Sequence, residues 1–435
     1  AKINAFNLRK ILIPEVRVLP TTNQSITQAI LWAQKNQVPF AIRGGGHSYE
    51  GYSQSSKLVI DLRLMNSMQY DPSTQTLEVG AGAHLGDIYH YLSQFGAAIP
   101  AGSCPPVGVS GHTLGGGFGF IARKYGLACD SVLSLEMIDA KGDVLTVSPI
   151  EHADLFWALR GGGNGSFGIV TKFKFQTHVV DQVAIFGVSW LLPPSEAVKV
   201  SKAWQNWAPN APEEITSVFH MSRASDRSIG LRCAGLVIQT AEFLGDPADL
   251  IKNELENLFV DFKGEKITIT NMHFIDSVRH FAGKAASSSV YMKAKSSYLL
   301  EPMSDAGILN LMNELLRLLV GLTALFDSYG GKVSSLKNDE TAFVHRESIQ
   351  YVIQYYSEWY MPSDTDSKLA SIRELYNSMQ PYVSSQSYVN YCDLDLANFG
   401  SSYWADNLPR LSRIKRIYDP KNFFQHAQSV PVAKK

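Results

Sequence analysis

The chain is poor in cysteine, in surplus charge and in uninterrupted apolar sequence, and each shortage removes a class of protein. Its four cysteines, Cys104, Cys129, Cys233 and Cys392, stand far apart with no CxxC pair, which signals neither a zinc site nor a disulfide framework; no metal site is expected. Lys and Arg number 39 against 40 Asp and Glu, so the basic surplus that drives binding to a phosphate backbone is missing and no nucleic-acid partner is expected. The longest apolar run, Ile308 to Phe326, carries Glu314 and Arg317, which suits a buried amphipathic helix better than a membrane span. There is no internal repeat and no low-complexity stretch. No leader is visible in "AKINAFNLRK", yet the first residue is not Met; an exported protein is favoured over a cytoplasmic one, as a monomer or small homo-oligomer.

Glycine, in contrast, is concentrated. "SITQAILWAQKNQ" has helical spacing and a serine cap, and it leads into the strand "VPFAIR", which ends at "RGGGHSYEGYS". Strands "KLVIDL" and "TLEVGAG" follow, then a helix over 85–95 and the glycine-dense "AGSCPPVGVSGHTLGGGFGF". "VLSLEMIDA" and "VLTVS" read as a hairpin, and "HADLFWALRGGGNGSFGIVTKFKFQT" as a helix, a glycine loop and an alternating strand. Beyond about residue 180 glycine thins, helical periodicity appears over 194–208, 246–260 and 304–326, and "LRCAGLVIQTA" reads as a strand. This is an α+β chain of two domains, 1–178 and 179–410, with a basic C-terminal segment, 411–435, whose helix stops at Asp419-Pro420.

Glycine loops at 44–46, 115–119 and 161–168 punctuate the first domain. Several such loops converging can offer many backbone N–H donors to one point, the means of holding a pyrophosphate without cationic side chains, so a dinucleotide is expected. "GFGFIA", Gly117 to Ala122, imitates the Rossmann fingerprint with Asp139 at the customary distance. Its context fails, because "GVSGHTLGG" precedes it instead of an apolar strand, and Asp139 is explained by the turn "DAKGD".

In order, "RGGGHSYEGYS", "AGSCPPVGVSGHTLGGGFG", "DLFWALRGGGNGSFGIVT", "FDSYGGKVSSLKNDETAFVHR", "VNYCDLDL" and "YDPKNFF" resemble the successive signatures of the berberine-bridge-enzyme-like flavin oxidases of the vanillyl-alcohol-oxidase superfamily, which include the oligosaccharide oxidases. The resemblance spans nearly the whole chain. It implies a PCMH-type FAD-binding domain, to which the C-terminal segment returns, and a substrate domain built on an antiparallel sheet covered by helices. It further implies bicovalent FAD, attached at its 8α-methyl to the histidine of R-G-G-G-H and at C6 to the cysteine of G-x-C-P-x-V-G, here His47 and Cys104. The remaining cofactor contacts it implies are Arg43, Gly44, Gly45, Gly46 and Ser48 in the first motif, and Gly102, Val107, Gly108, Gly111, His112, Gly115, Gly116, Gly117 and Gly119 in the second. Gly168, Val170, Asn390 and Tyr391 complete the set. On this reading the glycines of "RGGGH" let backbone press against the flavin, and two bonds leave the ring edge open above a wide cleft. Val107 stands where oxidases of the family have valine and dehydrogenase relatives a bulkier Leu or Ile that blocks dioxygen.

The chemistry implied is oxidation of a CH–OH group of a carbohydrate, oligosaccharide or secondary-metabolite alcohol, with hydride transfer to flavin N5 and dioxygen as acceptor, releasing hydrogen peroxide. Tyr391 matches the catalytic tyrosine, on a strand, with Asp327 the aspartate that assists it; Tyr49 matches a residue lining the substrate side. A tyrosine with a pKa near 10 needs such help to act as a base at neutral pH. The alternatives are oxidative closure of a bond in an alkaloid-type substrate, amine oxidation, a dehydrogenase, and a binding protein with a vestigial site. Two departures stand out. Oligosaccharide oxidases have a tryptophan and a glutamine before the assisting aspartate, where this chain reads "GLTALFD", so Thr323 and Leu325 make the pocket read as more apolar. Plant-like members have "NYRD" where this chain has "NYCD", with Cys392 in place of arginine.

Overall fold

The computed structural model describes residues 5–224, 228–262, 267–282 and 289–434. Its architecture is the expected α+β fold. Toward the N-terminus a three-stranded parallel sheet, in the order Val16–Val18, Leu58–Asp61, Phe40–Arg43, adjoins a five-stranded antiparallel sheet. The latter runs Met68–Asp71, Thr76–Gly80, Ile169–Gln176, Val132–Ile138, Val144–Val147. The hairpin around "DAKGD" forms as read, and the Asp139 carboxylate accepts the N–H groups of Lys141 and Asp143 at 2.8 and 2.9 Å. The fingerprint-like glycines follow the helix Val109–Leu114 rather than a strand.

The larger unit is a seven-stranded antiparallel sheet, ordered Thr268–His273, Gln182–Leu192, Ile229–Ile238, Ile215–Arg223, Leu322–Ser328, Tyr351–Trp359, Tyr291–Leu299. Helices Pro194–Trp207, Pro247–Leu258, Asp305–Arg317 and Thr365–Met379 cover one face. They bury Trp204, Leu255, Leu311 and Leu375 against Phe219, Phe326 and Ile353 of the sheet. Because side chains alternate along a strand, the opposite face is left for the glycine loops. The C-terminal helix Leu408–Tyr418 packs Leu411 and Ile414 into the same core as Leu155 and Phe167 of the N-terminal half. Among the described residues no helix is long and apolar enough to cross a membrane, and no group of three or more His, Cys, Asp or Glu could hold a metal ion.

Three readings of local structure are corrected. The expected helix over 304–326 ends at Arg317, and Leu322–Ser328 is a central strand with alternating burial. Gly321, at φ +97°, turns the chain between them, a conformation that glycine adopts without strain. The first helix is capped by Thr22 rather than by a serine. Tyr391 lies in a single 3₁₀ turn, Val389–Tyr391, and not on a strand.

Candidate active site

A cavity of about 390 Å³ opens between the glycine loops and the free face of the large sheet. The loop wall is built backbone to backbone. A Cβ on Gly45 would collide with the backbone nitrogen of Gly108, one on Gly44 would meet Ser110 Oγ, and one on Gly46, at φ +74°, would enter the Arg43 guanidinium. Gly44 and Gly45 are therefore needed for the packing of one loop on another, and Gly46 for the positive φ and for the Arg43 side chain of its own loop. Gly111 and Gly165 differ. An added Cβ would find only Asn164 Nδ2 at 3.8 Å and His426 Cδ2 at 3.7 Å, so their bare backbone faces the cavity.

Of the residues singled out in the sequence, His47, Cys104, Gly44, Gly45, Gly46, Ser48, Gly102, Val107, Gly108, Gly111, His112, Gly119, Gly168, Val170, Asn390, Tyr391, Asp327 and Tyr49 all line this one cavity. Arg43, Gly115, Gly116 and Gly117 do not. Arg43 is buried 3.3 Å from Asp61. Gly115 and Gly116 make room for Asn390 and Phe343, and Gly117 for His112 and Ala128; their smallness admits neighbours from both halves of the fold, not a ligand. His112 is a cap as well as a wall residue, its Nε2 accepting the Gly102 N–H at 2.9 Å. Burial lowers it to about 4, so it is neutral.

His47 is also neutral, lowered to about 4 by burial and then by His84 and Arg43, with its ring stacked 4.1 Å from Phe6. It keeps a free ring-nitrogen lone pair. Burial pushes the Cys104 thiol up to about 11. Facing them, the Tyr391 hydroxyl donates to Asp327 Oδ2 at 3.2 Å. Burial raises Tyr391 well above 10, Asp327 adding to the effect, and burial raises Asp327 to about 6 even against this hydrogen bond. The carboxylate is thus the member of the pair that exchanges a proton near neutrality. Tyr49 lies parallel to Tyr391, centroids 5.9 Å apart and planes within 4°, and its hydroxyl accepts from Gln354 at 3.2 Å.

Several wall residues escaped the sequence reading. The Tyr388 hydroxyl accepts the N–H groups of Gly117 and Phe118 and the Asn390 amide, at 3.1, 3.3 and 2.9 Å, pinning the Tyr391 turn to the glycine loop. From the C-terminal segment, His426 stacks on Tyr52 at 4.3 Å and bonds Asn164 O at 3.0 Å, and Gln428 Oε1 accepts from Tyr52 and Tyr403. Of the described residues of the large sheet only Val218 and Asp327 line the cavity, so Thr323 and Leu325 lie outside it, and the sheet face beside it is less apolar than "GLTALFD" suggests. Leu325 lies between His220 and Gln354, and Thr323 between Ser222 and Tyr356, on paired strands. His220, made neutral by burial and by Arg232, has no hydrogen-bond partner among the described residues. Cys392 is buried 3.9 Å from Ser48 Oγ, next to Asp393, which already bonds two lysines, so an arginine here would add a further cation to a cluster that has its own.

The FAD binding domain family matches residues 14–148, and the family described as berberine and berberine like matches residues 387–431. The FAD-linked oxidoreductase YgaK of Bacillus subtilis is 34% identical over 96% of this chain and 91% of its own length. The chain belongs to the berberine-bridge-enzyme-like FAD-linked oxidoreductases. The solved BBE-like 1 of Physcomitrella patens superposes with a TM-score of 0.88 at 31% identity, over 99% of this chain and 94% of that one. A doubly substituted variant of Phl p 4, a glucose oxidase, superposes with a TM-score of 0.88 at 29% identity and the same coverage. The family resemblance read from the six motifs is borne out. FAD is the cofactor of this berberine-bridge-enzyme-like chain, and the cavity fits it: open glycine backbone at Gly111 and Gly165 forms a cradle that side chains would fill.

Proposed function

We propose that this oxidoreductase oxidises a CH–OH group of a hydroxyl-bearing small molecule, a carbohydrate or secondary-metabolite alcohol, and uses dioxygen as acceptor with release of hydrogen peroxide. The observation that carries the reading is the Tyr391–Asp327 hydrogen bond inside the cavity whose other wall bears His47 and Cys104. FAD, when bound, supplies the two-electron acceptor. The substrate hydroxyl would give its proton to the Tyr391 oxygen as the phenol proton passes to Asp327, so no free tyrosinate is required; Asp327 bears more of the base's work than the sequence suggests. Tyr49 would flank the substrate, and a substrate long enough to extend past Asp327 along the sheet would meet Gln354, which bonds the Tyr49 hydroxyl, and then His220.

His47 and Cys104 are proposed as the two attachment points of FAD. The neutral His47 imidazole has the lone pair that such a bond needs, whereas the Cys104 thiol must first lose its proton. Val107 is held in the turn that begins at Cys104, its N–H donating to Cys104 O at 3.2 Å, and its small side chain supports an oxidase over a dehydrogenase. The glucose oxidase activity of the structurally similar Phl p 4 variant supports the same substrate class. A screen of sugars, polyols, aromatic alcohols and alkaloids for peroxide release tests the proposal. Turnover of one hydroxyl compound class, with peroxide stoichiometric with product, is expected; turnover confined to amines or alkaloids, or slow air reoxidation of dithionite-reduced enzyme, contradicts it.

A further inference from the structure

Behind the tyrosines lies a buried ion cluster that takes no part in the chemistry just proposed. Lys293, on the edge strand Tyr291–Leu299, has a side chain only 2% exposed. Its ammonium reaches Glu50 Oε1 at 2.5 Å and Asp393 Oδ1, with Asp395 at 3.4 Å. Lys295 bonds the other Asp393 oxygen at 2.6 Å, Arg9 bonds Glu50 at 2.9 Å, and Arg373 holds Asp395 at 2.9 Å. Burying so many charges costs more than filling the space with apolar side chains, and removing one partner leaves an uncompensated ion.

What the cluster connects is specific. Glu50 directly follows Tyr49 on the loop that begins at His47, and Asp393 lies two residues beyond Tyr391, just after the turn that carries it. One ammonium therefore joins the two loops whose tyrosine rings lie parallel across the cavity. Asn7 reinforces the tie by donating to Tyr49 O at 2.6 Å and Met292 O at 3.1 Å. The Cys104 loop touches the His47 loop at Gly45 and Gly108 but also has ties of its own, through the Gly102 N–H to His112 and the Leu85 N–H to Val107 O at 2.9 Å. We infer that Lys293 is a positioning residue: by bridging Glu50 and Asp393 it sets the placement of His47 and Tyr49 relative to Tyr391, and acts far less on Cys104, whose loop it does not contact.

The inference rests on the proposed attachment of FAD at both His47 and Cys104, and its test separates the two. Wild type, Lys293→Met, Lys293→Arg and Glu50→Gln are produced with ample riboflavin, precipitated in acid and peptide-mapped for flavin at each residue. kcat is then measured on the best compound from the peroxide screen. In Lys293→Met, attachment at His47 should fall while attachment at Cys104 stays at the wild-type level, and kcat should drop by about ten- to a hundredfold, as misplacement of a reacting group does. Glu50→Gln should show the same selective loss in smaller degree, and Lys293→Arg should restore part of it. If Lys293→Met is insoluble, the other two decide. Wild-type flavin at His47 in every soluble variant, or equal loss at His47 and Cys104, overturns the inference; a wild type lacking one of the two linkages overturns the reading beneath it.

Discussion

The two walls of the cavity are made by different means. On the loop side, Gly45 and Gly108 are in direct backbone contact, and hardly any side chain is needed to fix the surface. On the sheet side the backbone is regular and the surface is all side chain: Val218 and Asp327 line the cavity, and His220 beside Leu325 and Ser222 beside Thr323 continue the same face beyond it in cross-strand register. A wall of glycine backbone suits a cofactor that every relative must hold, because only one residue type satisfies it. A wall of strand side chains can be changed one residue at a time without moving the backbone, and so suits a substrate that differs between relatives.

Substitutions can break this contrast, beginning with the largest effect. Tyr391→Phe keeps the ring and removes the proton carrier, so kcat should fall by about 10²–10⁴ with FAD content unchanged, read from anaerobic flavin reduction. Asp327→Asn should cost roughly 10² and alter the pH profile. In wild type kcat/KM should climb as pH rises through about 6 and then level, and this limb should vanish in the variant. The sign for stability is opposite. The folded-state pKa of Asp327 is raised, so its contribution is fullest in acid and is lost as pH rises through about 6; the asparagine variant should therefore melt higher than wild type at pH 8.

The loop side should respond through cofactor and stability instead. Gly45→Ala forces a Cβ onto Gly108 backbone and should cost about 1–3 kcal/mol, seen as a lower melting temperature with reduced FAD content. Gly111→Ala, whose Cβ meets nothing closer than 3.8 Å, should leave stability nearly unchanged while FAD content falls, because the methyl enters the cradle. His220→Ala should have the smallest effect, raising KM about fivefold, the worth of one neutral hydrogen bond, with kcat little altered. A change in kcat but not KM would mean that the sheet floor does not bind the substrate.

The same contrast explains what is legible in the sequence. Backbone walls write themselves as contiguous strings, so "RGGGH" and "GSCPPVGVSGH" mark the loop side by residue order alone, and His47 and Cys104 with it. The sheet face beside the cavity is assembled from strands that are distant in sequence. His220 and Gln354 flank Leu325 only because Ile215–Arg223 and Tyr351–Trp359 both pair with Leu322–Ser328, a register that no local pattern encodes. Reading 304–326 as one helix hides it further, since "LVGLTALF" is apolar in either period and Gly321 is the one turn signal among the four residues between helix and strand. The C-terminal contributions of His426 and Gln428 are illegible for a related reason, because their partners Tyr52 and Asn164 lie hundreds of residues earlier.

In the proposed enzyme the loop wall presents His47 and Cys104 to one FAD opposite Tyr391 and Asp327. Acid denaturation of the purified wild-type protein followed by mass mapping of its yellow peptides tests this most directly. The colour should stay with the polypeptide, and a single flavin should cross-link the His47 and Cys104 peptides. Release of all the flavin into the supernatant, or its recovery on any other residue, would contradict this arrangement.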